Sequence, residues 1–331
     1  MLRFSPEQQA AVIANRRTMA AQAALLANQL AATGEIIGNA LSLPRDVWGE
    51  WDTEAVQIQR QEMLIFNDLA ATLARPMPIG KLIHYFKTVS DSGSVNVSLD
   101  GRSKANLDKP VFDYQGTPVP IIDSTFGFGW REMAAAESEG FALDDAGRVN
   151  ATDKVSKKLE SLALDGDVNI VVGGQPLYGM RTHPNRKTRT TGQPMSGATG
   201  AQWLAEITAT VKLLRDANIW APVTVYLNAA DWFYASNTDY AANYSKTIAQ
   251  RIREIEGIAA ILPAPTLAPG QIIAFVKDRR VIQVLNAMPV TTRAQFRANP
   301  EDDYNFVTLA AAAVEMKPDA EGNLAVAVST P

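Results

Sequence analysis

The sequence contains no cysteine and only two histidines in 331 residues. Without cysteine there is no disulfide, no thiolate nucleophile and no zinc site built on sulfur. His84 and His183 have no spacing that supports a Ser-His-Asp triad, and no cluster has metal-ligand spacing. His183 lies in a loop sequence, where a structural, hydrogen-bonding histidine is the expectation. We therefore expect no catalytic residue, no metal site and no cofactor, and we expect that the chain is not an enzyme.

Nucleotide-binding fingerprints are also missing. Gly173-Gly174 follows an apolar segment but does not continue as Gly-x-Gly-x-x-Gly, and Gly127-Phe128-Gly129 falls short in the same way. No Gly-x-x-x-x-Gly-Lys-Ser/Thr motif occurs. The sequence therefore favours neither a dinucleotide site nor a phosphate-binding loop.

Long apolar runs are absent. The longest, such as Leu309–Val314, are far shorter than the roughly 18–20 residues that span a bilayer, and the first residues lack the apolar core of a signal peptide. The net charge is only −4, so the overall balance demands neither nucleic acid nor an acidic membrane surface. We expect a soluble protein without a membrane partner.

Charged side chains form a few local clusters. The most basic one lies in a loop and is a candidate for contact with DNA phosphates or with carboxylates of a neighbouring subunit, although no aromatic side chains interleave with it. Arg16-Arg17 is a weaker candidate, with a solvated helix face as the default interpretation. Asp144-Asp145 and Glu301-Asp302-Asp303 are expected to be solvated turns rather than cation sites. The basic cluster consists of Arg181, Arg186, Lys187 and Arg189.

The N-terminal third predicts two helices and an extended excursion. A helix over 5–32 has an apolar stripe too narrow for a core helix, and a second helix over 52–73 ends at Arg75-Pro76. Residues 79–128 contain period-two alternation, clearest over Val95–Leu99, and the turn signal Asp100-Gly101. A ribbon of two strands is marginal alone, so we expect this one to lie on another surface.

The rest of the chain mixes helices and strands. We predict helix over 130–164 with an interruption near 144–147, then a buried strand at Ile170–Val172 and a polar loop over 181–200. An amphipathic helix over 202–217 presents Trp203, Ile207, Val211 and Leu214 on one face. Further segments are a strand at 223–227, a helix at 247–255, and strands at 272–276, 281–285, 306–316 and 324–328. The fold class is therefore α+β.

The order of these elements resembles that of HK97-fold major capsid proteins, the fold shared by tailed phages and encapsulin nanocompartments. Residues 157–166 look like the end of the family's spine helix. Residues 170–174 look like the segment that follows that helix and ends in glycines. Leu177–Pro184 resembles a strand of that fold, and Val223–Trp232 resembles its strand followed by Asn-x-x-Asp-Trp. Residues 126–132 look like the end of the E-loop, and Asn305–Glu315 looks like the last P-domain strand.

This resemblance implies an N-terminal helical arm over 1–75, an E-loop over 76–130, a P-domain with the spine helix over 131–215, an A-domain over 216–290 and a return to the P-domain over 291–331. It implies a major capsid protein that assembles through hexamers and pentamers into an icosahedral phage head enclosing double-stranded DNA, which it would contact non-specifically. Its partners would be copies of itself together with portal, scaffold or decoration proteins. It would reside in the virion after assembly in the host bacterial cytoplasm. The alternatives are an encapsulin-type shell, or a cytosolic α/β enzyme with an unrecognised site.

Covalent cross-linking is not expected. Some members of the resembled family join an E-loop lysine to an asparagine that lies shortly after the Asn-Phe-Val element. Here residues 308–311 read Thr-Leu-Ala-Ala, so the acceptor is missing, although lysines are available at Lys81, Lys87, Lys104 and Lys109. Denaturing electrophoresis of intact particles should give a single monomer band, and a ladder of linked subunits would contradict this prediction.

Overall fold

The computed structural model describes residues 5–33, residues 63–139 apart from 94, 96, 98 and 101–108, and residues 143–331 apart from 193. The chain divides into two compact units, Met1–Gln59 and Arg60–Pro331. In the first unit the described element is the helix α1, Pro6–Thr33, which confirms the first predicted helix. Met19, a member of its predicted apolar stripe, is exposed. The start of the second predicted helix, at residue 52, lies outside the described residues.

The second unit is a mixture of helices and strands, as the sequence predicts. Its first half contains α2 (Leu64–Leu73), β1 (Ala74–Pro76), β2 (Ile83–Val89), β3 (Phe112–Pro118), β4 (Ile121–Phe128), α3 (Trp130–Glu139), α4 (Leu143–Leu164), β5 (Gly166–Val172) and β6 (Gln175–Tyr178). Its second half contains β7 (Lys187–Thr190), α5 (Gly200–Asp216), β8 (Val223–Asn228), α6 (Ala229–Asn237), α7 (Ile248–Arg253), β9 (Ile258–Ala264), β10 (Ile272–Val276), β11 (Ile282–Ala294), β12 (Tyr304–Met316) and β13 (Val326–Thr330).

A four-stranded sheet in the order β1-β11-β12-β4 carries the long helix α4. Strands β11 and β12 have 13 residues each and form an antiparallel hairpin, while β1 adds to β11 in parallel. Val155 and Leu159 of α4 pack on Ala310 and Ala312 of β12. The small alanine side chains let the helix approach the strand closely, so the sheet and α4 form one layered core.

A five-stranded sheet in the order β7-β13-β10-β8-β9 forms the second core, against α5, α6 and α7. All six residues of β8 and all five of β10 are buried, as expected for strands in the interior of a sheet. Helix α5 begins with a capping box between Thr199 and Gln202. Its predicted apolar face is confirmed, since Trp203, Ile207 and Leu214 are fully buried.

Two small antiparallel pairs complete the unit. Strands β2 and β3 form a ribbon whose ladder runs from Ile83–Pro118 to Val89–Phe112. Strands β5 and β6 form a hairpin closed by Gly173-Gly174, both at positive φ. Two consecutive residues with positive φ make the tight turn that glycine favours. The glycine pair therefore turns a hairpin.

Three local predictions differ from the structure. The interruption predicted near 144–147 was misplaced, because those residues lie within α4, Leu143–Leu164, while α3 ends at Glu139. Gly147 is needed inside α4, since a Cβ there would lie 2.6 Å from the ring of Phe126 on β4. Of the alternating segment 95–99 the structure describes Val95, Val97 and Leu99, which are exposed and have no strand assignment. The segment at 170–172 is a strand but not a buried one, since Val171 is 53% exposed.

The observed strand pairing groups three segments differently from the domain boundaries that the resemblance implies. Strand β13, which was expected to return to the P-domain, instead pairs with β7 and β10. Strand β11, most of which was expected in the A-domain, pairs with β1 and β12. Helix α5 packs in the core of the five-stranded sheet. The domain boundaries themselves all stay predictions.

Candidate assembly surfaces

The β2–β3 ribbon presents large apolar side chains to solvent. Val111, Phe112 and Tyr114 are 68%, 50% and 63% exposed, and Tyr85 and Val89 are exposed on the facing strand. Backbone pairing continues beyond β2, because Ser90 N donates to the Val111 carbonyl. A contiguous exposed apolar surface marks an interaction site, so the ribbon is a candidate for contact with another chain.

A buried carboxylate holds the base of the ribbon. Glu315, near the end of β12, has no exposed surface, and its Oε1 lies 2.7 Å from His84 Nδ1 on β2. Gln283 on β11 donates to the other carboxylate oxygen, and Lys317 Nζ lies 3.7 Å away. A buried carboxylate is costly unless it is hydrogen-bonded and paired. These three partners therefore tie β2, β11 and the end of β12 together.

A second buried carboxylate caps α2 from another helix. Met63 makes no side-chain cap at the start of α2. Instead Glu160 on α4 accepts from Ile65 N at 3.2 Å and Phe66 N at 2.7 Å. It also accepts from the Thr266 hydroxyl at 2.9 Å. The free N–H groups and the helix dipole favour a negative charge here, which fixes α2 on α4.

Asp68 joins the other side of α2 to the five-stranded sheet. Its carboxylate accepts from the Tyr226 hydroxyl at 2.6 Å and pairs with Lys277 Nζ at 2.8 Å. Burial, and then the hydrogen bond to Asp68, raise the pKa of Tyr226 well above its usual range. The tyrosine therefore stays a neutral donor in this bridge, which links the two cores of the unit.

The predicted basic loop is engaged within its own chain. Arg181 makes a bidentate pair with Asp165, at 2.8 and 2.6 Å, and Arg189 pairs with the buried Glu206. The other two basic residues also contact their own chain: Arg186 donates to the His183 carbonyl and Lys187 to the Asn323 side chain. These side chains stabilise the loop, so they do not form the free cationic surface that DNA contact would need.

His183 is a structural histidine, as expected. It is buried, its ring meets that of Tyr178 edge-on, and its Nδ1 accepts from Asn185 N at 3.2 Å. An accepting Nδ1 carries no proton. Burial, and then the nearby Arg186 charge, lower the pKa of His183 from 6.5 to about 4. The ring is therefore neutral near pH 7.

The acidic clusters fall into two different settings. Asp302 organises the turn between β11 and β12, where its carboxylate accepts from Ala298 N at 3.0 Å and Asn299 N at 2.8 Å. The backbone bond from Asn299 is the main cause of its lowered pKa. Residues 144–145 lie in the first turn of α4. The first cluster is a turn as predicted, and the second is helical.

Two kinds of site are absent from the described part of the chain. Within it, no group of three His, Cys, Asp or Glu side chains is arranged to hold a metal ion. None of its helices combines the length and the hydropathy that a bilayer-spanning segment requires.

Comparison with known sequences gives a family. A family described as being of unknown function, DUF6260, matches residues 37–329. The chain belongs to the DUF6260 family. No curated protein matches the sequence.

Solved structures give the fold of this DUF6260 protein. The capsid of Myoviridae phage XM1 superposes with a TM-score of 0.69 at 11% identity, covering 90% of this chain and 99% of that one. The capsid of a native GTA particle gives 0.61 at 11%, covering 89% and 98%. A virus-like particle from Pyrococcus furiosus gives 0.56 at 16%, covering 80% and 94%. The chain has the HK97-like capsid fold that its sequence resembles.

Removing the histidine at the base of the ribbon should loosen the ribbon. His84→Ala leaves the buried Glu315 without its partner on β2, so we expect the free energy of unfolding to fall by about 2–3 kcal/mol. Limited proteolysis should also cut within residues 83–118 faster than in the unaltered protein. Lys81→Ala, at an exposed position beside the ribbon, is the matched control and should change stability by less than about 0.5 kcal/mol. Equal stability of the two variants would show that Glu315 does not hold the ribbon.

His183 should make the fold acid-sensitive. The unfolded histidine takes up its proton near pH 6.5, whereas the folded one does so only near pH 4. As the pH falls through this window the unfolded chain binds more protons, so stability decreases, by up to about 2–3 kcal/mol. Denaturant titrations at several pH values should show a smaller loss between pH 6.5 and 4 for His183→Gln than for the unaltered chain. Identical pH profiles would contradict the assignment.

Proposed function

We propose that this protein is a phage major capsid protein, which assembles through hexamers and pentamers into an icosahedral head. The observation that carries the proposal is the extent of the structural match, 90% of this chain against 99% of the phage XM1 capsid chain. On this proposal the chain works through its interfaces and not through a catalytic residue.

The ribbon supports this proposal on physical grounds. A two-stranded ribbon with exposed Phe112 and Tyr114 is poorly stable alone, because few of its apolar side chains are covered within the chain. Placed on a neighbouring subunit, the same side chains would contribute to the large interfaces typical of obligate assemblies. The exposed Trp220 and Phe233, which belong to the part of the chain around the five-stranded sheet, offer a second apolar contact.

We assign the ribbon to an E-loop over 76–130, α4 to the spine helix of a P-domain, and the five-stranded sheet to an A-domain. In this assignment we group α5 and β13 with the A-domain, because they pack with the five-stranded sheet, and β11 with the P-domain, because it pairs with β12; these contacts support the proposal. Residues 1–75 would form an N-terminal arm. The proposed setting is the virion, after assembly in the bacterial cytoplasm, with portal, scaffold or decoration proteins as further partners and double-stranded DNA as the content.

An encapsulin-type shell is the second candidate, supported by the match to the Pyrococcus furiosus virus-like particle. The phage capsid is favoured because phage XM1 gives the higher TM-score, 0.69 against 0.56, and covers more of this chain. The long helix α1 also fits a phage-type N-terminal arm better than the shorter N-termini of encapsulins. The content of purified particles, either DNA or a protein cargo, distinguishes the two.

Shortening the ribbon should separate folding from assembly. Replacing residues 91–111 by a short Gly-Ser turn, together with Phe112→Ser and Tyr114→Ser, keeps the paired segments of β2 and β3 but removes the connecting segment and the exposed apolar side chains of β3. The shortened chain should unfold cooperatively like the unaltered one, yet yield no closed shells in electron micrographs. A matched control inserts the same Gly-Ser turn in place of residues 319–321, which are exposed in the turn before β13, and should still assemble. Normal shells from the shortened chain would contradict the role given to the ribbon.

A further inference from the structure

The β11–β12 hairpin carries opposite charges at its two ends. Strand β11 begins at Ile282 opposite Met316, and it ends at Ala294 opposite Phe306. The turn from Phe296 to Asp303, here called the acidic tip, lies at the second end. A recess lined by basic side chains, here called the basic recess, lies at the first end.

The acidic tip is held rigidly and leaves two carboxylates free. Asp302 accepts from the backbone of the turn, and Arg297 donates to the carbonyls of Pro300 and Asp302. The Arg297 guanidinium also lies over the Tyr304 ring, 3.7 Å from its centre, so it is engaged by its own turn. Glu301 and Asp303 are exposed, and neither has an ion pair to a described residue.

The basic recess gathers cations from three separate parts of the chain. It has a volume of about 450 Å³ and is lined by Ala74, Arg75, Pro76, Arg279, Arg280, Gln283 and Lys317. Four of these seven side chains are cationic and none is acidic. The three arginines have no ion pair to any described residue.

Lys317 supports the electropositive character of the recess. Its ammonium donates to the Arg279 carbonyl at 3.0 Å and lies 3.7 Å from the buried Glu315. Burial is the main cause of its lowered pKa; the charge of Glu315 opposes this shift and the positive charge of Arg75 adds to it. The planar guanidinium groups of arginines in such a recess can each donate two hydrogen bonds to a carboxylate or a phosphate.

The two ends cannot meet within one chain. The thirteen residues of β11, at about 3.3 Å each, separate them by about 40 Å along the hairpin. A contact between different surfaces of two copies is heterologous, and it closes a ring when the rotation between copies allows.

We propose that the acidic tip of one copy binds the basic recess of a second copy, with Glu301 and Asp303 facing Arg279 and Arg280. This contact rests on the proposed function, because it would be one of the interfaces that build the shell. It also explains why a chain of net charge −4 keeps three unpaired arginines together in one recess.

Charge exchange tests the contact. Glu301→Lys/Asp303→Lys reverses the tip and Arg279→Glu/Arg280→Glu reverses the recess. Each pair alone should raise the protein concentration needed for assembly by about tenfold at low salt, because like charges then oppose each other. The four substitutions combined should restore assembly to within about threefold of the unaltered chain. Asp216→Lys/Glu256→Lys, with the same charge change at exposed positions elsewhere, should have little effect.

The outcomes distinguish a failure of this contact from a failure of the proposed function. If the unaltered chain forms shells and both reversed variants do so equally well, the contact is wrong while the proposed function stands. If only the recess variant is altered, and it loses DNA retention rather than assembly, the recess binds nucleic acid and the contact is again wrong. If the unaltered chain never forms shells, the proposed function and this contact both fail.

Discussion

The arrangement of the second unit depends on strand β12 and on the carboxylate near its end. β12 pairs with β11 on one edge and β4 on the other, and its alanines receive α4. Glu315 has no exposed surface, so its carboxylate needs polar partners within the chain. These partners are His84 on β2, Gln283 on β11 and Lys317. One buried charge therefore fixes the position of the ribbon base relative to the sheet. A second carboxylate, Glu160, does the same for α2 and α4.

These few polar contacts fix the cores of the unit, whereas other parts of the same chain stay extended. The two cores are joined by an apolar cluster in which Phe275 meets Val284 and Val314, and by part-buried polar contacts such as the bridge from Asp68 to Tyr226 and Lys277. The ribbon, in contrast, keeps its apolar side chains exposed beyond its base. A surface of this kind is costly in a free subunit and gains its stabilisation when a neighbour covers it. Folding of the subunit and association of subunits would therefore draw on different residues.

Much of the fold could be predicted because several elements have strong local signals. The period of apolar residues marked α5, and the continuous apolar run marked β8. The break predicted near residue 145 was misplaced because Asp-Asp-Ala-Gly is a turn sequence, whereas acidic residues also suit a helix start and Gly147 makes room for Phe126.

The functional surfaces were harder to predict, because they depend on residues distant in sequence. The charged cluster at 181–189 was visible, but its partners Asp165 and Glu206 were not. Glu315 stands out as a lone acid in an apolar run, a signal that could have indicated a buried pair, yet nothing pointed to His84. The basic recess unites Arg75 with Lys317 and therefore appears only in three dimensions. The resemblance to HK97-fold proteins gave the fold before any of these contacts was known.

Electron microscopy of the unaltered protein after size-exclusion chromatography tests the central claim most directly. If the chain is a capsid protein, the micrographs should show closed icosahedral shells, or free hexamers and pentamers that close into shells. A monomer or dimer that never assembles, even when it is produced together with other phage head proteins, would contradict it.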